Sequence, residues 1–472
     1  MKRCSVVGLI DSNDQVSLVD NDSIVISVEL PEDQSKTRYG VGAFIKRAKQ
    51  HLVSPNLYAS ELLNLSALIY AADTRTSRDD YSQDGWTREF DIYFPVNKIG
   101  IWTPLKGKIE ELLSFITGDF WNLHFREREA KHHLEVIKGS DSAIPVKAVS
   151  LLSGGLDSFI GAIDLLNTNI DTLFVGHYAK DGTQNYQNQI EQALKGHYPE
   201  YFKGYVKGCL IFDKTVFKDG NQEINSENSQ RSRSFMFLSM AAYLASSMGE
   251  SCKLIVPENG FIALNVPLDP LRLGANSTKT VHPNFMCKMG EIFDFLDLNI
   301  ELINPYRHMT KGEMMANCKN QSLLAKHAHE TLSCASQSKM RWDQGGFKAN
   351  RLGGSGGNGN CGYCYPCLIR KASFQKAFIT DNTEYVAIPD FNTAKIKVGK
   401  NGSVYAESKD ILSVQYAGFR LKNGLIKPKI EIHKSGTLQS VYDEWGDIAD
   451  MYARGLSEVY GLVKDVIITK SN

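Results

Sequence analysis

Residues Lys147 to Ser158 read Lys-Ala-Val-Ser-Leu-Leu-Ser-Gly-Gly-Leu-Asp-Ser. A strand-like apolar run empties into a Ser-Gly-Gly-x-Asp-Ser turn, and the apolar stretch Phe159 to Leu166 predicts a helix behind it. In chemical terms the turn is a pyrophosphate cradle. Gly154 and Gly155 let the backbone approach phosphate closely, and the helix N-terminus offers unpaired N–H groups at its positive dipole end. Ser153 and Ser158 add hydroxyls, and Asp157 can hold Mg²⁺ or orient the loop. The plain alternative is an ordinary strand-to-helix turn. No G-x-x-x-x-G-K-[ST] occurs in the chain, so this is not a Walker A loop.

From this turn onward strand and helix patterns alternate. Strands are expected at Ala148–Leu152, Thr172–Val175, Gly208–Phe212, Lys253–Val256 and Glu301–Ile303. Helices are expected at Asn185–Leu194, Phe235–Met248 and Phe285–Leu296. Such alternation predicts a doubly wound parallel sheet whose ligand lies beyond the C-terminal strand ends, at the switch point. The first 144 residues read as an added α+β domain, with strands at Cys4–Ile10, Gln15–Leu18, Ser23–Leu30, Thr87–Pro95, Ile99–Thr103 and Leu123–Phe125. Its helices are expected at Ala59–Ala72 and Lys106–Thr117. The polar stretch Lys138–Pro145 marks its border. A central unit then spans 145–378, and an α/β extension spans 379–472.

Cys361, Cys364 and Cys367 form a C-x-x-C-x-x-C run, with Cys334 upstream. Four thiolates complete a tetrahedral Zn²⁺ shell and leave no open position for a catalytic water, which predicts a structural zinc knuckle. An iron–sulfur cluster is the alternative, as are unrelated buried thiols. Cys4, Cys209, Cys252, Cys287 and Cys318 are scattered and read as small core residues. His132-His133 and His327-x-His329 lack further ligands and read as surface features. Arg126–Lys131 alternates in sign and reads as a solvent-facing helix start. Asp73–Asp80 with Trp86 reads as a polar loop, or as a partner-docking surface. Gly354 to Gly359 contains a formal G-x-G-x-x-G, but no strand precedes it, so a dinucleotide site is rejected.

Across 472 residues, 53 basic and 53 acidic side chains balance, which argues against a general nucleic-acid binder. No apolar run approaches the roughly 18 residues of a membrane span, and Asp11 and Asp14 interrupt any leader-like stretch. Thiols at metal-ligand spacing then predict a cytoplasmic protein without membrane partners.

The Ser-Gly-Gly-Leu-Asp-Ser loop resembles the PP-loop of ATP pyrophosphatases, with their adenine nucleotide α-hydrolase-like fold. Joined to Cys334 and to the run Cys361–Arg370, it is similar to the QueC-like 7-cyano-7-deazaguanine synthase family. Arg231-Ser232-Arg233-Ser234-Phe235 resembles that family's Arg-Asn-x-x-Phe helix start, and Thr310-Lys311-Gly312-Glu313 its Thr-Lys-x-Glu. Pro257-Glu258-Asn259-Gly260 falls where the family has a strand ending near the nucleotide. The likeness spans residues 147–378. There are departures: Ser234 replaces the asparagine, Val281-His282-Pro283-Asn284 lacks the acidic residue of Tyr-Pro-Asp, and His177-Tyr178-Ala179-Lys180 replaces Tyr-Gly-Gln.

The resemblance implies an AMP-forming PP-loop ligase using ATP, Mg²⁺ and Zn²⁺. It would adenylate a carboxylate like that of 7-carboxy-7-deazaguanine and join it to an amine. It assigns ATP to Ser153, Gly154, Gly155, Leu156, Asp157, Ser158 and Tyr178, and zinc to the four cysteines. Asp157, Ser158, Lys311 and Arg233 would be the catalytic groups, with Lys180 a further cation. Extended chains of this build resemble those of anti-phage defence operons of the Qat type (QatC-like), which implies a partner protein from the same operon as the amine. The alternatives are 7-cyano-7-deazaguanine (preQ0) synthesis for queuosine, a PP-loop tRNA-modifying enzyme, or a non-catalytic zinc module.

Overall fold

A computed structural model describes residues 3–20, 23–178, 182–212, 218–219, 222–223, 225–227, 229–269, 279–335, 359–388, 390–391, 396–398 and 406–470. The N-terminal part comprises β1 (Cys4–Leu9), β2 (Ile24–Glu29), α1 (Val41–Ala48), α2 (Leu57–Arg75), β3 (Glu89–Val96), α3 (Lys106–Thr117) and β4 (Phe120–Glu127). The central part follows with β5 (Ala148–Leu151), α4 (Leu156–Leu166), β6 (Thr172–His177), α5 (Thr183–His197), β7 (Phe202–Gly208), α6 (Arg233–Ala245) and β8 (Cys252–Ile255). It ends with α7 (Pro283–Phe295), β9 (Ile300–Ile303), α8 (Lys311–Ala316) and α9 (Tyr365–Ala377). The C-terminal helices are α10 (Ala406–Lys422) and α11 (Trp445–Val463).

The central sheet has the order β9-β8-β5-β6-β7, and every pair is parallel. Strand order therefore reverses on either side of β5. The crevice between the ends of β5 and β8 is the switch point where ligands of open α/β sheets bind. The turn singled out in the sequence leaves β5 at this place.

The N-terminal sheet has the order β2-β1-β3-β4 and is also entirely parallel. This corrects the α+β expectation: α1 and α2 carry the return from β2 to β3 and α3 that from β3 to β4, while an irregular stretch joins β1 to β2. The apolar pattern reveals strands and helices but not strand direction. Gln15–Leu18 is irregular rather than a strand, and Ile99–Thr103 is helical rather than extended. The Arg126–Lys131 stretch begins as the end of β4 rather than as a helix, and a largely exposed 3-10 turn, Ala130–His132, starts only near its close. Arg126 donates to the Gly8 carbonyl at 2.6 Å, and buried Arg128 donates to the Leu30 carbonyl at 2.8 Å.

Helix α2 is buried on nearly every side, which its Leu-, Ala- and Ile-rich sequence demands. Asn56 caps it, accepting from the Tyr58 and Ala59 amides at 2.8 and 3.1 Å. One apolar core runs from Val6 and Ile92 through Leu68 to Met240, Val149 and Leu254. A second joins Cys361 and Leu368 to Ile411, Tyr452 and Leu456. The N-terminal segment thus shares a core with the central sheet across the border expected at 144/145, and the C-terminal segment shares one with the cysteine-bearing end of the central part across 378/379. No described helix is long and apolar enough to cross a membrane.

Candidate functional site

The turn after β5 is built around Gly154, whose φ of +88° lies in the region that favours glycine. Ser158 Oγ donates to the Gly155 carbonyl at 2.9 Å and lies 3.1 Å from Ser153 Oγ, while the Gly155 amide donates to Ser153 Oγ at 3.2 Å. Helix α4 then starts at Leu156 without a side-chain cap. Its first amides are left for a ligand or water, and its dipole favours negative charge there.

Asp157 is nine-tenths buried beneath this turn. One helical turn on, Gly161 lies against Pro257, and a Cβ there would come within 2.2 Å of the proline ring. That close approach brings the loop after β8 to α4. Asn259 Nδ2 donates to Asp157 Oδ2 at 2.7 Å. On the other side Lys311 Nζ lies 3.1 Å from Asp157 Oδ1. Lys311 opens α8, which begins with a capping box: Thr310 Oγ1 accepts the Glu313 amide at 3.0 Å and Glu313 Oε2 accepts the Thr310 amide at 2.9 Å. The C-terminal helix braces that start. Thr310 Oγ1 donates to Glu458 at 2.8 Å, and Arg454 pairs with Glu313 at 2.6 Å. Asp157, Ser158, Lys311 and the Ser153–Leu156 loop are therefore brought together, as the sequence predicts.

Two neighbours carry the site further than sequence reasoning assigned. Asn259 is fully buried as the partner of Asp157. Glu258, half-buried, has its carboxyl pushed up to about 8 by burial and by the charge of Asp157, with Lys311 opposing. Their only sequence signal is their place at the end of an expected strand.

Arg233 and Tyr178 lie elsewhere. Arg233 opens α6 with its guanidinium 4.8 Å from the Phe237 ring centre, and no Arg233–Asp157 ion pair occurs among the described residues. The Tyr178 hydroxyl accepts from Arg47 at 3.5 Å. Tyr178 lines a cavity of about 460 Å³ with Lys46, Arg47, His51, Tyr205 and Lys207, on the β7 edge. Lys180 and residues 353–358 of the glycine-rich loop lie outside the described residues.

The Asp73–Trp86 segment is buried in part and exposed in part. Arg88 is fully buried and donates to Asp73 at 2.6 Å and to Asp119 at 2.7 Å; Arg78 pairs with Asp119 at 2.7 Å. The Arg78 and Arg231 guanidinium groups lie 4.7 and 4.3 Å from the Trp86 ring centre. Asp73 Oδ2 also accepts from the Ser232 amide and hydroxyl at 2.8 and 2.9 Å, which fixes the start of α6. Burial would raise the Asp73 carboxyl, but the charge of Arg88 and these hydrogen bonds hold it below the ordinary range. Asp73, Arg78, Arg88 and Asp119 thus form a buried ionic network, while Asp79, Asp80, Gln83 and Asp84 face water.

The four cysteine sulfurs lie within 4.8 Å of one another, with Cys334–Cys364 and Cys361–Cys367 each at 3.9 Å. Four Zn–S bonds of about 2.3 Å in a tetrahedron need sulfurs roughly 3.8 Å apart, so the set fits. Hydrogen bonds from the other three thiols hold Cys334 well below the ordinary thiol range, while burial pushes Cys361 and Cys367 up. No other cluster of this kind occurs among the described residues. His132 meets Glu32, and His327 meets Glu330 at 2.9 Å. No protein-family model matches this chain, and no curated protein is significantly similar to it.

Proposed function

We propose that the chain is an ATP-dependent, AMP-forming carbon–nitrogen ligase. The observation that carries the reading is the meeting of Asp157, Lys311 and Asn259 beneath an uncapped helix start, at the switch point of a parallel sheet. A Gly-Gly turn, free amides and a buried lysine suit a polyphosphate. When bound, ATP would supply an activated α-phosphorus, at which a carboxylate displaces pyrophosphate; an amine then attacks the acyl carbon of that mixed anhydride, and AMP leaves as the amide bond forms.

The chain's own groups have distinct tasks in this reading. The amides of the first turn of α4 bind phosphate oxygens, joined by that of Gly155 when it exchanges Ser153 Oγ for phosphate. Lys311 offsets charge developing on them. Asp157, held at both oxygens by Lys311 and Asn259, is oriented to take Mg²⁺. Glu258, protonated at neutral pH, adds no second negative charge beside the phosphates. Zinc at the four cysteines is structural, since its shell is closed.

The resemblance of the motifs to QueC-like chains makes 7-carboxy-7-deazaguanine the proposed acid. The flanking segments, absent from a free-ammonia enzyme of that kind, make a partner protein's amine the proposed acceptor, in the anti-phage setting named above. The test mixes zinc-loaded protein, MgATP and the acid with ammonia or with the operon partner. AMP, pyrophosphate and a partner–deazaguanine adduct are expected. ADP and phosphate overturn the ligase reading. Nitrile formed from ammonia at about 1 per second or faster replaces it with preQ0 synthesis.

A further inference from the structure

The Ser-Gly-Gly turn is tied to the cysteine cluster by one short segment. The Leu332 amide donates to the Gly154 carbonyl at 2.9 Å, and Leu332 is two residues from Cys334. In a trans peptide the C=O and the following N–H point in opposite directions. Anchoring the Gly154 carbonyl on Leu332 therefore aims the Gly155 amide into the turn, where it meets Ser153 Oγ at 3.2 Å. Between two glycines that peptide would otherwise rotate at little cost.

The 328–333 segment is itself clasped by residues that flank the other cysteines. Asn360, just before Cys361, accepts the Ser333 amide at 2.9 Å and donates to the Thr331 carbonyl at 3.1 Å. Arg370, three residues after Cys367, is fully buried. Its guanidinium donates to Thr331 Oγ1 and to the Ala328 carbonyl, both at 2.7 Å, to Thr383 Oγ1 at 2.8 Å, and to Ser333 Oγ at 3.4 Å. All of these acceptors belong to the protein, so the guanidinium is spent on holding chain rather than ligand.

We propose that Arg370 is a positioning residue for the phosphate-binding turn: it fixes the segment that aims the Gly155 amide, and so couples phosphate binding to metal retention at the four cysteines. The proposal rests on the nucleotide reading of that turn. Coupling between two sites is reciprocal, so a ligand at the turn must hold the metal as tightly as the metal favours the ligand.

The test uses the zinc-loaded full chain and a non-hydrolysable ATP analogue. Arg370→Lys keeps the charge but loses the planar fork that reaches four acceptors. It is expected to keep its zinc and to bind the analogue about tenfold more weakly, within the usual range of site coupling. In unaltered protein, saturating analogue is expected to slow zinc loss to a chelator several-fold, a measurement that needs no variant. Unchanged analogue affinity in a folded, zinc-bearing Arg370→Lys overturns the proposal alone. So does a zinc-loss rate indifferent to bound analogue. Unaltered protein that binds no analogue overturns the nucleotide reading, and this proposal with it.

Discussion

Lys311 Nζ and Asp157 Oδ1 lie 3.1 Å apart, and both residues are more than nine-tenths buried. The pair joins the first helix of the central sheet to the helix after its last strand. Asp157→Asn keeps the shape and retains an oxygen for Asn259, but removes the negative charge that a cation needs. AMP release is expected to fall at least tenfold, equivalent to about 1.4 kcal/mol of lost transition-state stabilisation, and the melting temperature should also fall, because Lys311 is left buried without its carboxylate. Lys311→Met should lose as much activity and also stability, because it strands a buried carboxylate. Product analysis with paired melting curves checks both.

The same pair shows what the sequence could and could not reveal. The turn, the cysteine spacing and the strands of the central sheet are legible because each is a local pattern. Lys311 is legible through the capping box that opens its helix. Asn259 as the partner of Asp157 is not, since the contact spans 102 residues and depends on Gly161 letting two backbones approach. Strand β7 begins at Phe202, upstream of the expected Gly208–Phe212. It is an edge strand, and its lysines and glycines hide the apolar pattern. Arg78 reads as part of a polar loop because charge alone does not distinguish a surface from a paired interior.

The buried network makes its own prediction. Arg88 donates to both Asp73 and Asp119 with no exposure to water. Arg88→Met leaves two buried carboxylates short of a partner, and breaking such a pair costs about 3–5 kcal/mol. The denaturation midpoint should drop accordingly. A double variant with Asp119→Asn should recover part of the loss. A midpoint unchanged in Arg88→Met would show that the network contributes nothing to stability.

Metal content tests the cysteine cluster independently of any activity. One equivalent of zinc per chain is expected, and replacement of Cys334, Cys361, Cys364 or Cys367 by serine should lower it and destabilise the second core, which includes Cys361, Cys364 and Cys367. Iron accompanied by a visible absorption band would instead assign a cluster.

The last prediction concerns acid. His282 is fully buried at the start of α7, where its Nδ1 accepts the Asn284 amide at 3.2 Å and its Nε2 lies 3.3 Å from Ser435 Oγ. Burial, and then the nearby charge of Lys279, hold the ring down to about 3 from an ordinary 6.5. The folded chain thus keeps the ring neutral, while the unfolded chain takes up a proton once the pH drops below 6.5. The stability this provides is complete above pH 6.5 and is lost as the pH falls toward 3. His282→Asn keeps a capping oxygen for the helix but cannot titrate. The variant should be somewhat less stable at pH 8, having lost the Ser435 contact, and its stability should fall less steeply between pH 6.5 and 4. Denaturant melts across that range measure both slopes. Equal slopes would mean that the ring takes up its proton in the folded state as readily as in the unfolded one.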